Sequence, residues 1–202
     1  MSTVRNMRLI LGVMLMACAW MPLFAQGKVD GKISKIDLRD QKTPVFSESQ
    51  QGSKGGGNRW CRIDVEFETK GRSWISEVEA RWIVMVNTDA LSKPASMSLN
   101  VTYTDVKEGK RNICAYISPK FFERYMRGGR IDSSRINVYV EIYANGQRIA
   151  RNEYKGNRKV ADNWYKMTDS MQSVSNALMP KYKTPFAFLD YDYYECEKPQ
   201  GQ

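Results

Sequence analysis

Histidine is missing from all 202 residues. That removes the Ser-His-Asp and Cys-His routes to nucleophilic catalysis and the usual imidazole-ligated metal sites. Cysteine is scarce: Cys18, Cys61, Cys114 and Cys196 stand far apart, at spacings unlike a zinc site. The stretch "SESQQGSKGGGN" from Ser47 to Asn58 is rich in glycine but has no Gly-Lys-Ser/Thr and no G-x-G-x-x-G, so it reads as a loop and not as a phosphate cradle. After residue 25 no apolar run reaches membrane-spanning length. Acidic residues are absent from the first 25 positions. Carboxylate, lysine and tyrosine chemistry stay open, and no cofactor motif is present.

What the N-terminus does have is Arg5 and Arg8 followed by an apolar run from Leu9 to Ala25. This is the pattern of a secretory signal, with cleavage after Ala25 leaving residues 26–202 as a single domain. A rival lies within the run, where "LMAC" resembles a bacterial lipobox and makes Cys18 a lipidation candidate. An uncleaved anchor ranks last. The expected location is outside the cytoplasm: periplasm, outer membrane, cell surface or medium. Removing the signal takes away two arginines and no acid, so the net charge of +9 falls to +7. For an exported protein such a surface suits anionic lipid or acidic glycan better than nucleic acid.

Alternation dominates the remaining chain. In "WCRIDVEFETK" the residues Cys61, Ile63, Val65 and Phe67 share one parity, while Arg62, Asp64, Glu66 and Glu68 share the other. A strand with one core wall and one solvated wall explains both the thiol and the carboxylates without a site. Val78, Ala80, Trp82, Val84 and Val86 continue the pattern after a turn expected at Gly71. "SMSLNVTYTD" and "NICAYIS" read as a hairpin turning at Gly109. Ser118 and Pro119 open a short helix that Gly128 and Gly129 stop. Asn145-Gly146 is a type I′ turn signal between "INVYVEIYA" and a polar edge strand, "RIARNEY". A second short helix is expected over Asp169–Met179, and a final strand over "TPFAFLDYDYYECE". The sum is a mainly β protein: an immunoglobulin-like antiparallel β-sandwich of about seven to eight strands with one or two short helices. Trp82 is its candidate core tryptophan, and Cys61 and Cys114 are spaced to allow a disulfide between sheets.

Two blocks, "RWCRIDVEFETKGRSWISEVEARWIVMV" over 59–86 and "KTPFAFLDYDYYE" over 183–195, resemble a family of small exported verrucomicrobial proteins known as pilus-like. The resemblance implies an immunoglobulin-like domain, export, association with a type IV pilus-like or cell-envelope system, and no catalytic residues. "LGVMLMACAW" lacks the acid of a bacterial pilin leader helix, so an associated component is implied and not the filament subunit.

Candidate sites follow. Phe186, Phe188, Tyr191 and Tyr193 form an aromatic ending suited to contact with another envelope protein. Asp190, Asp192, Glu195 and Glu197 cluster nearby and read as the solvated face of a strand. Lys155, Arg158 and Lys159 form a basic loop beside Tyr154 and Trp164, which also reads as solvated. The functional expectation is a non-enzymatic exported protein-interaction domain without cofactor or metal. The alternative is a module binding surface glycans of the mucin type, acidic ones included. A carboxylate-dependent hydrolase ranks third.

Overall fold

The computed structural model describes residues 28–44 and 57–199. The expected signal segment, the Cys18 lipidation candidate and most of the glycine-rich loop lie outside the described residues. The strands are β1 (Asp30–Lys42), β2 (Arg59–Val86), β3 (Ala95–Ile117), β4 (Ile136–Ala144), β5 (Gln147–Lys155), β6 (Gln172–Ser173) and β7 (Leu178–Pro180), with one helix, α1 (Pro119–Tyr125). They make one seven-stranded sheet of order β5-β4-β2-β3-β6, to which β1 adds along β2 and β7 along β3. Every pairing is antiparallel except β3 with β6.

The architecture comes from two long strands that bend together. Along β2 and β3 the register runs unbroken to Thr69↔Gly109 and resumes at Trp74↔Lys107, so residues 70–73 oppose Glu108 alone. Gly71 sits at φ 105° and Gly109 at φ 107°, a region that residues with a Cβ avoid. A bulge of this kind sharpens the twist and folds a ribbon over. The expected turns at these glycines are therefore bends within continuous strands. The front half of the ribbon is flanked by β1 and β7, and the back half by β4 and β6.

The inward faces of the two halves meet in one core. Cys61, Ile63, Val65, Phe67, Ile113, Ala115 and Ile117 come from the front. Val78, Ala80, Trp82, Val84, Val86, Met97, Val101, Ile136, Val138, Val140 and Ile142 come from the back. Trp82 is fully buried there. The open side is closed where β5 meets β1: Asn152 Nδ2 donates to the Ile33 carbonyl oxygen at 3.3 Å. The mainly antiparallel β architecture expected from the alternation is thus present, with few helices and a layout consistent with a β-sandwich.

Helix α1 starts at Pro119 as expected, although the Ser118 side chain makes no capping bond. Asn145 and Gly146 hold φ of 52° and 73° between β4 and β5, which is the I′ hairpin. Two other expectations are corrected. Asp169–Met179 is no helix: a 3-10 turn at Thr168–Ser170 leads into β6, and β7 follows from Leu178. Met171 instead packs with Trp164, Met85 and Tyr139 on the outer face of the back half. The final strand is also absent. Residues 184–194 run as successive turns, and the residues after them join β3 through an isolated bridge, Tyr103↔Glu197, and single backbone bonds.

Candidate functional site

The C-terminal segment 181–198 forms a cap over the outer face of the front half. Thr184 starts it. Its hydroxyl donates to the Lys181 carbonyl oxygen at 2.7 Å and accepts the Phe186 N–H at 3.2 Å, which drives Phe186 inward. Phe186 stacks on Tyr116 with ring centroids 4.7 Å apart and meets the Trp60 edge at 5.7 Å. With Cys114 and Tyr194 these rings make a second buried cluster. Tyr194 O–H donates to Asp64 Oδ1 at 2.6 Å. Asp64 also pairs with Arg62 at 3.1 Å and Arg39 at 3.3 Å, so this face of β2 is covered and not solvated at that point.

The cap is fastened on its other side by Glu197, whose two carboxylate oxygens accept the backbone N–H groups of Lys181 at 3.0 Å and Tyr182 at 2.7 Å. Lys181 Nζ donates to the Ala187 carbonyl oxygen at 2.9 Å. Backbone bonds tie Glu195 to Asn112, Cys196 to Thr104 and Lys198 to Thr102. Burial raises the Glu197 carboxyl above its ordinary range, against the pull of the two amides. Burial also raises Glu195, offset by Arg111 at 3.7 Å. Both groups hold the cap in place. Asp190 and Asp192 do not share a strand face with them: Asp190 sits at φ 50° in a turn and lies 3.7 Å from Arg62.

The four aromatic candidates therefore divide. Phe186 is 1% exposed and belongs to the foundation. Phe188 is 85%, Tyr191 65% and Tyr193 57% exposed, on the outward side of the same cap. A cavity of about 230 Å³ opens beside Phe188 and Tyr191, with Tyr194, Ala187 and Cys196 in its wall.

The cysteines are corrected. Cys61, Cys114 and Cys196 are free thiols. Cys61 points into the main core and Cys114 to the outer face under the cap, so the sheet itself separates them. Their registers, Cys61↔Ile117 and Asp64↔Cys114, put them on opposite parities. Burial pushes the Cys61 thiol up to about 12, with Asp40 and Asp64 adding to it, and pushes Cys114 well up too. Neither is a nucleophile at neutral pH.

The basic loop is also reshaped. Lys155 is held by Asp162 at 2.7 Å and Glu153 at 3.3 Å. Trp164 is buried, and its Nε1 donates to Glu153 at 3.2 Å. Arg158 and Lys159 stay exposed. Among the described residues no group of three or more metal-ligating side chains converges. No helix there is long and apolar enough to cross a membrane.

Comparison with known proteins bears on the family and on the fold. A protein-family model matches residues 23–200. A crystal structure of a protein from Akkermansia muciniphila, a verrucomicrobe, superposes with a TM-score of 0.74 at 20% sequence identity, over 87% of this chain and 96% of that one. At that identity the likeness is one of fold. No curated protein matches.

Proposed function

The chain belongs to the family whose model spans residues 23–200, and from that premise we propose that it is a non-enzymatic exported protein-interaction domain of a type IV pilus-like or other cell-envelope system. The observation that carries the reading is the cap. It exposes Phe188, Tyr191 and Tyr193 on a base made rigid by Phe186, Tyr194 and Glu197. Exposed aromatics grouped on a fixed surface are the usual core of a protein interface, because they desolvate a large area with little side-chain entropy to lose. The immunoglobulin-like character and the envelope association are supported by the resemblance of residues 59–86 and 183–195 to pilus-like proteins.

The test is cross-linking in intact native cells, then capture of this protein and identification of its neighbours. Recovery of secretin, pilus motor or pilin-like proteins supports the reading. Recovery of no envelope protein, with the chain found in the medium or on glycan, overturns it.

A second reading, binding of acidic surface glycan, is favoured by one observation: the exposed Arg127, Arg130 and Arg158 gather in the walls of two neighbouring cavities at one end of the molecule.

A further inference from the structure

Three connections converge at the end of the back half of the ribbon: the β2–β3 loop, the segment between α1 and β4, and the turn after β5. Backbone bonds join them. Asn87 N–H donates to the Arg135 carbonyl oxygen at 3.0 Å, Asp89 N–H to Tyr125 at 3.1 Å, and Gly156 N–H to Ile136 at 3.1 Å. Gly156 packs so closely that a Cβ there would fall onto the Ser133 carbonyl oxygen. Two cavities of about 540 and 520 Å³ open at this junction, and both include Asp89 and Arg135 in their walls.

Asp89 fixes the divide between them. Its Oδ1 accepts from Arg135 Nη1 at 2.8 Å, and its Oδ2 accepts the Arg127 N–H at 3.1 Å. Arg135 also lies 3.6 Å from Asp132. Arg158 lines the first cavity, and Arg127 and Arg130 line the second. All three are exposed, and among the described residues none has a carboxylate within ion-pair distance. Four guanidinium groups against two carboxylates leave an excess of positive charge spread across two linked hollows.

We infer that this junction binds a linear acidic polysaccharide, with sulfate or carboxylate groups of successive sugars seated on Arg158 in one hollow and on Arg127 and Arg130 in the other. The inference rests on the glycan reading for the ligand class and on the geometry for the place. Guanidinium forks match sulfate and carboxylate oxygens in pairs. Two hollows that share a fixed Arg135 suit a chain with repeated anions better than one small ion. The walls contain no aromatic ring on which bases would stack, which disfavours single-stranded nucleic acid. Their apolar members, Met126 and Ile131, are buried or half-buried, so nothing here inserts into a lipid surface.

The experiment measures binding of a fluorescent heparin oligosaccharide to the mature chain at physiological ionic strength. R130Q/R158Q is compared with R72Q/K110Q, which removes the same charge at the bend of β2 and β3. Thermal melts verify that both variants fold. The expected result is at least a roughly tenfold loss for R130Q/R158Q and less than about a twofold loss for R72Q/K110Q, with no binding of neutral dextran. Equal losses in the two variants would overturn the site while leaving glycan binding intact. No heparin binding by the unaltered chain would overturn both. Equal affinity for single-stranded DNA of the same length, or full displacement by low millimolar inorganic sulfate, would overturn the ligand class.

Discussion

Phe186 sits between Tyr116 and Trp60 and is almost completely buried. Its truncation leaves a ring-sized void under the cap, so F186A should cost about 3–5 kcal/mol in urea unfolding. A loss below about 1 kcal/mol would mean that the cap is not packed on the sheet. Thiol access reads the same packing from another side. Cys196 is exposed, whereas Cys61 and Cys114 are buried and hold their protons at neutral pH. Alkylation of the native mature chain should therefore label Cys196 alone, with Cys61 and Cys114 labelled only after denaturation. Intact mass measurement distinguishes one adduct from three. The thiols also show what parity alone conveys. Cys61 was legible as a core residue from its alternation with Ile63, Val65 and Phe67. The same alternation puts Cys114 on the outer face with Tyr116, but only the cap above it reveals why that face is buried. A disulfide inferred from sequence spacing ignores which side of the sheet each sulfur faces.

At the scale of the element, β2 and β3 carry the main lesson. The glycines at 71 and 109 were legible as turn positions. Whether the chain reverses there or bends was not, because that depends on the register, in which Gly109 pairs with Thr69 and Gly71 falls in the unpaired run that follows. G71A tests the bend directly. The added Cβ would lie 2.5 Å from the Lys28 carbonyl oxygen at a φ that favours glycine. The substitution should destabilise the fold by about 1–3 kcal/mol, read as a lower urea midpoint. An unchanged midpoint would place the bend elsewhere. Two other elements were misread for a common reason. Met171, Val174 and Leu178 have helical spacing, yet they follow an extended path on which Met171 is half-buried beside Trp164 while Val174 and Leu178 pack on the main core. Phe186 and Phe188 alternate in and out as strand residues do, yet Thr184 and Asp190 produce that alternation with turns. Periodicity counts which residues are covered and does not identify what covers them. The continuous apolar strands, the helix at Pro119 and the Asn145-Gly146 hairpin were legible because local chemistry and burial agree there.

For the whole molecule, the two surfaces lie on different parts of the bent ribbon. The aromatic cap covers the outer face of the front half, and the arginine junction closes the end of the back half. The sequence pointed to the aromatic ending because its composition is unusual. It marked Arg158 within a basic loop but not the junction, whose arginines come from segments that meet only through the fold. The two surfaces should be separable, with substitutions at one leaving the other intact. The central claim concerns the cap. Its most direct test places a photo-cross-linking amino acid at Phe188, at Tyr191 and, as a reference, at Lys110, in the native cells. The expected result is a discrete adduct with one cell-envelope protein from positions 188 and 191, absent from position 110. Adducts of the same size and yield from all three positions, or none from the cap, would contradict a docking role for the aromatic surface.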